Sequence, residues 1–376
     1  MSRSWQGYRL MLRLLCCILM LPAFALANAV TEEQTVAGLS RYVIEHDDVE
    51  REYLVFRPPG SEGRPMPLLL ALHGYGITAS GFAATYGLNL HAARYGYTIV
   101  YPQGSQFMGR FGDDPDAKPS LVTSWNDLAS NFTPAPGAGP HCTEDRYRYP
   151  CPPECGRCNH CAWTSCYDDL GFLKRVLEQA RSNYAIDNSR IYLLGNSNGA
   201  MMAMRMACDD PGPFAAVVAL IAQMPPGFEC SPGKTGLPLL HLAGAKDDSV
   251  GHDGTATSSG WIFASRDSTQ SVWAQGMGCR GQPVSWRTAL SDAHGLQCKS
   301  IADCPAPADE VVACLDPDAG HEWRGQRADD IPANCVYPLQ SASFPDQPAC
   351  ISYHRDQKPW GMDLAWEFLS RYRRER

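Results

Sequence analysis

The sequence predicts an α/β fold with a mostly parallel central sheet, and three observations carry that prediction. Continuous apolar runs at residues 67–72, 97–101, 191–194 and 237–242 read as strands buried on both faces. Between the runs lie stretches with apolar residues at helical spacing, such as Leu170, Leu173, Val176, Leu177, Ala180 and Tyr184. Strands and helices therefore alternate along the chain, the order in which crossover helices build a parallel sheet. The 376 residues suffice for one large domain with insertions, and no internal repeat is evident.

The first segment reads as an export leader. Arg3, Arg9 and Arg13 precede an apolar run over residues 14–27 that ends in small residues. Ala25-Leu26-Ala27 and Ala27-Asn28-Ala29 both fit a signal-peptidase site. The run is short and holds Pro22, which disfavours a stable membrane span. Cys16 and Cys17 follow Leu15, where a lipoprotein signal requires a small residue, so they belong to the apolar run. The expected organisation is a signal peptide over residues 1–29 and a single catalytic domain over residues 30–376, with no further membrane segment. The chain holds 32 Lys and Arg against 40 Asp and Glu, a net charge of −8. Loss of the three leader arginines makes the remainder more acidic, which argues against nucleic acid and anionic membranes as partners. Of 16 cysteines, two lie in the leader, and the even remainder reads in an exported chain as up to seven disulfides.

Taken in order, residues 40–44 and 50–56 read as two β segments, the second closed by the turn Arg57-Pro58-Pro59-Gly60. The buried strand 67–72 ends in His73-Gly74-Tyr75-Gly76, and residues 81–94 read as one helix. The strand 97–101 ends at Pro102-Gln103-Gly104. An insertion at about 104–167 follows, rich in Pro, Gly, Asp and Cys, without sustained periodicity. Asp168-Asp169 is a candidate N-cap pair for the helix that follows. Asp187-Asn188-Ser189 turns the chain into the strand 191–194. Further buried strands are expected at 214–222, 237–242 and 310–315, with an irregular cysteine-bearing region at 251–309 that holds a short helix near 268–275. Residues 360–372 read as an amphipathic helix, with Asp363 in its first turn and Arg371, Arg373 and Arg374 at its end, an order that suits the helix dipole.

Chemistry concentrates at Gly195-Asn196-Ser197-Asn198-Gly199. This Gly-x-Ser-x-Gly pattern follows an apolar strand and precedes a Met- and Ala-rich helical stretch, the context of a nucleophile elbow. Glycines flank Ser197 because a side chain there would collide with neighbouring backbone. A serine hydroxyl needs a histidine to take its proton and a carboxylate to hold that histidine. His241, His252, His294, His321 and His354 follow Ser197. His321 lies just beyond the last buried strand and is the expected base, whereas His241 sits inside an apolar strand as a core residue. The expected acid follows the strand 237–242: Asp247, with Asp248 as the alternative. Asp316 is too close to His321 in sequence for the Ser, acid, His order. Two backbone N–H groups should receive the oxyanion: that of Asn198, and one from Gly74 or Tyr75 after the strand 67–72. His73 is expected to be structural.

With these residues in place, the chain resembles the secreted α/β-hydrolase esterases that include polyhydroxybutyrate depolymerases and feruloyl or acetyl-xylan esterases. Leu72-His73-Gly74, Tyr101-Pro102-Gln103-Gly104, Asp187 with Arg190-Ile191-Tyr192, Gly195 to Gly199, and Gly320-His321-x-Trp323 carry the resemblance, which extends from Tyr53 to Tyr372. It implies an α/β-hydrolase fold, to which this chain's own cysteines add a disulfide-rich insertion. It also implies Ser197 as nucleophile, Asp247 as acid and His321 as base, and favours the Tyr75 N–H as second oxyanion donor. Three departures stand out: Tyr75 where many members carry Cys, Arg324 where proline is usual, and, most notably, the enlarged stretch from Gln103 to Tyr167.

Cys142, Cys151, Cys155, Cys158, Cys161 and Cys166 cluster in the enlarged insertion. Cys155-x-x-Cys158-x-x-Cys161 with His141 and His160 also matches a zinc pattern, but an exported loop-rich lobe is expected to use disulfides, with no metal. The insertion is expected to cap or wall the pocket, with Trp125, Phe132 and Trp163 as candidate aromatic contacts or as lobe packing. Asn131-Phe132-Thr133 is a glycosylation sequon. The expected function is serine-dependent hydrolysis of a carboxylic ester, either a polyhydroxyalkanoate-type polyester or a feruloyl or acetyl ester of plant polysaccharide, without cofactor. An extracellular serine peptidase, a non-catalytic binding protein on the same scaffold and a regulatory metal-binding lobe are the alternatives. The sequence leaves the oligomeric state open.

Overall fold

The computed structural model describes residues 31–34, 39–112, 116–127, 149–150, 152–155, 163, 165–226, 237–306, 309–324, 335 and 360–374. The expected leader lies outside them, as do Cys142, Cys151, Cys158, Cys161, His141, His160, His354 and the sequon with Phe132.

In chain order the elements begin with β1 (Thr31–Gln34), β2 (Leu39–His46), β3 (Val49–Phe56) and β4 (Met66–Leu72). Next come α1 (Ala79–Thr85), α2 (Leu88–Tyr95), β5 (Thr98–Pro102), β6 (Ser105–Gly109) and β7 (Ser120–Ser124). The elbow region holds α3 (Asp169–Asn183), β8 (Ile186–Asn196), α4 (Asn198–Asp209) and β9 (Ala216–Leu220). Then follow β10 (Leu239–Gly244), α5 (Arg266–Met277), β11 (Val284–Ser285), α6 (Ala289–Ala293), β12 (Gln297–Ile301), β13 (Val311–Asp316) and α7 (Trp360–Leu369).

Among the described residues, eleven strands form one sheet in the order β1-β2-β3-β5-β4-β8-β9-β10-β13-β12-β11. The six central strands from β5 to β13 run parallel. Antiparallel strands extend both edges. This is an α/β-hydrolase fold. Along β4 the side chains alternate between two cores. Leu68, Leu70 and Leu72 pack with Phe172, Met201 and Trp273 of α3, α4 and α5. Leu69 and Ala71 pack with Phe82, Leu88 and Phe368 of α1, α2 and α7. Each buried leucine contributes about 1.5–3 kcal/mol by leaving water, so a continuous apolar strand sandwiched by helices is the stable arrangement.

After β4 the chain moves to β5 on one side, then returns to β8 on the other. This switch leaves a crevice beyond the carboxyl ends of β4 and β8, where ligands of open α/β sheets bind.

The structure differs from the expected elements in three places. The single helix at 81–94 is two helices, because Gly87 takes a left-handed conformation at φ 60° and breaks the hydrogen-bonding run. The insertion, expected to lack regular structure, begins with β6 and β7 paired as a separate two-stranded sheet. The region 251–309 holds the longer helix α5 and the edge strands β12 and β11, with β12 antiparallel to β13. Disulfides join Cys155 to Cys166, Cys279 to Cys304, and Cys298 on β12 to Cys314 on β13. The first engages Cys155 of the Cys-x-x-Cys-x-x-Cys pattern and so removes it from the alternative zinc set. Among the described residues, no helix is long and apolar enough to cross a membrane.

Candidate active site

Ser197 sits between β8 and α4 with φ 53° and ψ −124°, a conformation that side-chain-bearing residues rarely adopt. The surroundings hold it there. Its N–H donates to the Leu220 carbonyl at 2.8 Å, tying the turn to β9. A Cβ on Gly195 would lie 2.2 Å from the Gly199 carbonyl oxygen, and one on Gly199 would lie 2.2 Å from that of His73. Only glycine permits this approach of β4, β8 and α4.

Two neighbouring parallel strands deliver the other polar partners. β10 and β13 are in register from Leu239↔Val311 to Gly244↔Asp316. Beyond them the two loops lace together through Ala245 N–H to Asp316 O and Lys246 N–H to Ala319 O, both at 2.9 Å. Asp247 extends from the first loop and His321 from the second. His321 Nδ1 lies 2.8 Å from Asp247 Oδ2, and His321 Nε2 lies 2.9 Å from Ser197 Oγ. The other oxygen of Asp247 accepts the N–H groups of Ser249 and Val250 at 2.9 and 2.8 Å. The Asp247 side chain is 1% exposed and that of His321 29%. With Asp247 ionised, Nδ1–H donates to it and Nε2 is left to accept the serine proton.

The alternative acid turns elsewhere. Asp248 accepts the Ser258 N–H at 2.8 Å and the Ser258 hydroxyl, bonds that hold its carboxyl below the usual range. Asp316 braces the His321 loop: its Oδ1 accepts from Asp318 N and Ala319 N, and from Arg324 Nη1 at 3.0 Å. Arg324 thus has a partner in the loop.

His73 and His241 are fully buried, and burial lowers both to a pKa of about 4, so they are neutral near pH 7. His73 Nε2 accepts the Gly104 N–H at 2.9 Å, joining the loops after β4 and β5. His241 Nε2 donates to the Ala222 carbonyl. Neither meets Ser197.

Tyr75 and Asn198 line one cleft of about 360 Å³ with Ser197 and His321. The Tyr75 ring stands edge-on to Tyr149 at 5.5 Å between centroids. Beyond it Tyr149, Trp163 and Trp261 make an aromatic wall, with the two tryptophan centroids 4.1 Å apart. Asp248, Ser258 and Ser259 supply polar lining. Trp163, expected as a substrate contact or lobe packing, packs against Trp261 and Phe263 and lines the cleft. Trp125 is fully buried, its indole N–H donating to the His73 carbonyl at 2.9 Å, and does not reach the cleft lining. Sequence reasoning missed Tyr149 and Trp261, which lie in stretches without periodicity. It also missed the Asn198 side chain. That amide accepts Trp125 N–H at 2.8 Å and donates to Asp127 Oδ2 at 2.5 Å, fastening the insertion to the elbow.

The family model described as "Esterase PHB depolymerase" matches residues 51–110, which contain β4 and the loop bearing Tyr75. Among curated proteins, NocK of Nocardia uniformis subsp. tsuyamanensis, provisionally named an esterase, is 27% identical over 235 residues, covering 61% of this chain and 52% of its own. S-formylglutathione hydrolase of Bos taurus is 25% identical over 195 residues, covering 50% of this chain and 59% of its own. The chain thus spans a little over half the length of these relatives. Among solved structures, an acetyl xylan esterase from Aspergillus awamori superposes with a TM-score of 0.42 at 12% identity, over 78% of this chain and 94% of that one. A poly(3-hydroxybutyrate) depolymerase from Bordetella parapertussis does so with a TM-score of 0.38 at 14% identity, over 78% and 85%. Nothing about this chain's substrate follows from likeness at that level.

Proposed function

We propose that this chain, whose residues 51–110 match the family model described as "Esterase PHB depolymerase", is an esterase that hydrolyses carboxylic esters through an acyl-enzyme on Ser197. The observation that carries the reading is the unbroken hydrogen-bond chain from Ser197 Oγ through His321 to Asp247 within the cleft. Ser197 attacks the ester carbonyl while His321 Nε2 takes its proton. Asp247 keeps the imidazole in the tautomer that can accept and stabilises the imidazolium that forms. The N–H groups of Asn198 and Tyr75 receive the oxyanion. His321 then returns the proton to the leaving alcohol, and a water activated by the same histidine releases the acid. Side chains and backbone suffice for every step, so the reaction calls for no metal or organic cofactor.

The substrate is an ester with a bulky acyl or alcohol part, either a polyhydroxyalkanoate-type polyester or a feruloyl or acetyl ester of plant polysaccharide. The wall of Tyr149, Trp163 and Trp261 supports an extended group. The basic and apolar leader together with the disulfides supports export to an oxidising compartment. Small p-nitrophenyl esters, methyl ferulate, acetylated xylan and short polyhydroxybutyrate, offered to the wild type and to Ser197→Ala, test the reading. Hydrolysis of at least one, reduced by roughly 10³-fold or more in the variant, is expected. Undiminished hydrolysis by the variant would overturn it.

A further inference from the structure

Asp127 is a fully buried carboxylate at the root of the insertion, and one of its oxygens serves two parts of the cleft. Oδ2 accepts from Asn198 Nδ2 at 2.5 Å and from the Trp163 indole Nε1 at 3.1 Å. Asn198 is the residue after Ser197, at the first turn of α4. Trp163 belongs to the aromatic wall. The bridge is braced further. Asn198 Oδ1 accepts Trp125 N–H at 2.8 Å, and Asn198 Nδ2 also donates to Trp125 O at 3.1 Å. Asp127 N–H donates to the same Trp125 carbonyl at 2.9 Å. The Trp125 indole reaches the His73 carbonyl, next to Gly74 in the other oxyanion loop. Ser124 Oγ donates to the Trp163 carbonyl at 2.5 Å.

We propose that Asp127 is a positioning residue for the hydrolysis assigned to Ser197: its Oδ2 ties the turn that carries the Asn198 N–H to the tryptophan against which the substrate lies. The inference rests on the Ser197 reading. Two physical facts give it weight. Oxyanion stabilisation depends on donors already aimed at the point where charge develops, so small displacements of the Asn198 turn cost rate rather than affinity. Losing the acceptor leaves two buried N–H groups unpaired, a cost larger than the net worth of the hydrogen bonds themselves. An amide in place of the carboxylate keeps an acceptor oxygen at the same position, whereas a methyl group does not.

The experiment is steady-state kinetics on p-nitrophenyl acetate and on an aromatic acyl ester such as methyl ferulate, for the wild type, Asp127→Ala, Asp127→Asn, Asn198→Ala and the Asp127→Ala/Asn198→Ala double variant. Thermal melts monitor folding. Asp127→Ala is expected to lower kcat on the acetate by about 10- to 100-fold with KM within about threefold, and to lower kcat/KM on the aromatic ester further. Asp127→Asn should recover kcat to within about fivefold of wild type. Asn198→Ala should match the kcat loss of Asp127→Ala, and the double variant should lose no more than either, as residues acting through one contact do. Unchanged kcat in a folded Asp127→Ala, or losses that multiply in the double variant, overturns the proposal. Should Asp127→Ala fail to fold, a folded Asn198→Ala with wild-type kcat overturns it equally. A wild type inert to every ester overturns the Ser197 reading itself, and this proposal with it.

Discussion

Asp247 meets His321 with one oxygen at 2.8 Å and spends the other on the N–H groups of Ser249 and Val250, so its own loop aims it. Its carboxyl is thus fixed on both oxygens. The register of β10 and β13 explains the meeting: their ends lie side by side, and the loops beyond them are joined by backbone hydrogen bonds.

Asp247→Asn should preserve shape but offer Nδ1 an amide that can itself donate. The imidazole would then be free to turn its proton toward Ser197. A kcat loss of about 10³- to 10⁴-fold on p-nitrophenyl butyrate, with a melting temperature near wild type, is expected. A loss under tenfold would show that Asp247 does not orient the base.

Gly199→Ala should damage both stability and activity. The added methyl would sit 2.2 Å from the His73 carbonyl oxygen and 2.4 Å from that of Leu72, neither of which can yield without moving the loop after β4. Overpacking of this kind costs about 1–3 kcal/mol, and the Ser197 turn would shift with it. Urea unfolding and esterase kinetics check this; wild-type values for both would contradict the tight approach.

Stability should fall with acid in a defined window. Burial lowers His73 and His241 to about 4, whereas an unfolded histidine titrates near 6.5. Between about pH 6.5 and 4 the unfolded chain binds more protons than the native one, so stability is fully present above this window and is lost as pH falls through it. The slope is up to about 1.4 kcal/mol per pH unit for each histidine. Thermal melts at pH 4.5 and 7.5 should show the drop, and His241→Gln should shrink it. A variant with the same pH slope as wild type would show that His241 carries none of it.

Trp261→Ala should separate substrates by size. Its ring packs on Trp163 in the cleft wall, so its loss should reduce kcat/KM for an aromatic acyl ester by about 5- to 30-fold, an effect of the size of one aromatic contact. The acetate should be affected less. Equal losses on both esters would remove the wall from substrate recognition.

How much of this was legible in the sequence varies with the source of each residue's position. The runs 67–72, 97–101, 191–194 and 237–242, which supply most of β4, β5 and β10 and of the buried part of β8, announce themselves because burial on both faces demands apolar runs. Ser197, Asp247 and His321 could be picked out because each lies just past such a strand, and the structure brings these three together. Tyr149 and Trp261 could not. They meet through contacts between the insertion and the region after β10, which leave no period in the local sequence. The strand β12 was hidden because it is short and mostly polar: Gln297 and Lys299 are exposed and only Cys298, Ser300 and Ile301 are buried. The break at Gly87 was hidden because apolar residues continue on either side of it.

The most direct measurement is active-site labelling. The folded wild type treated with a fluorophosphonate should carry one phosphonyl adduct, mapped by peptide mass spectrometry to Ser197, and His321→Ala should slow its formation by about 10³-fold or more. Ester hydrolysis by wild-type protein that forms no adduct at Ser197, or that persists at full rate once Ser197 is labelled, would contradict the account.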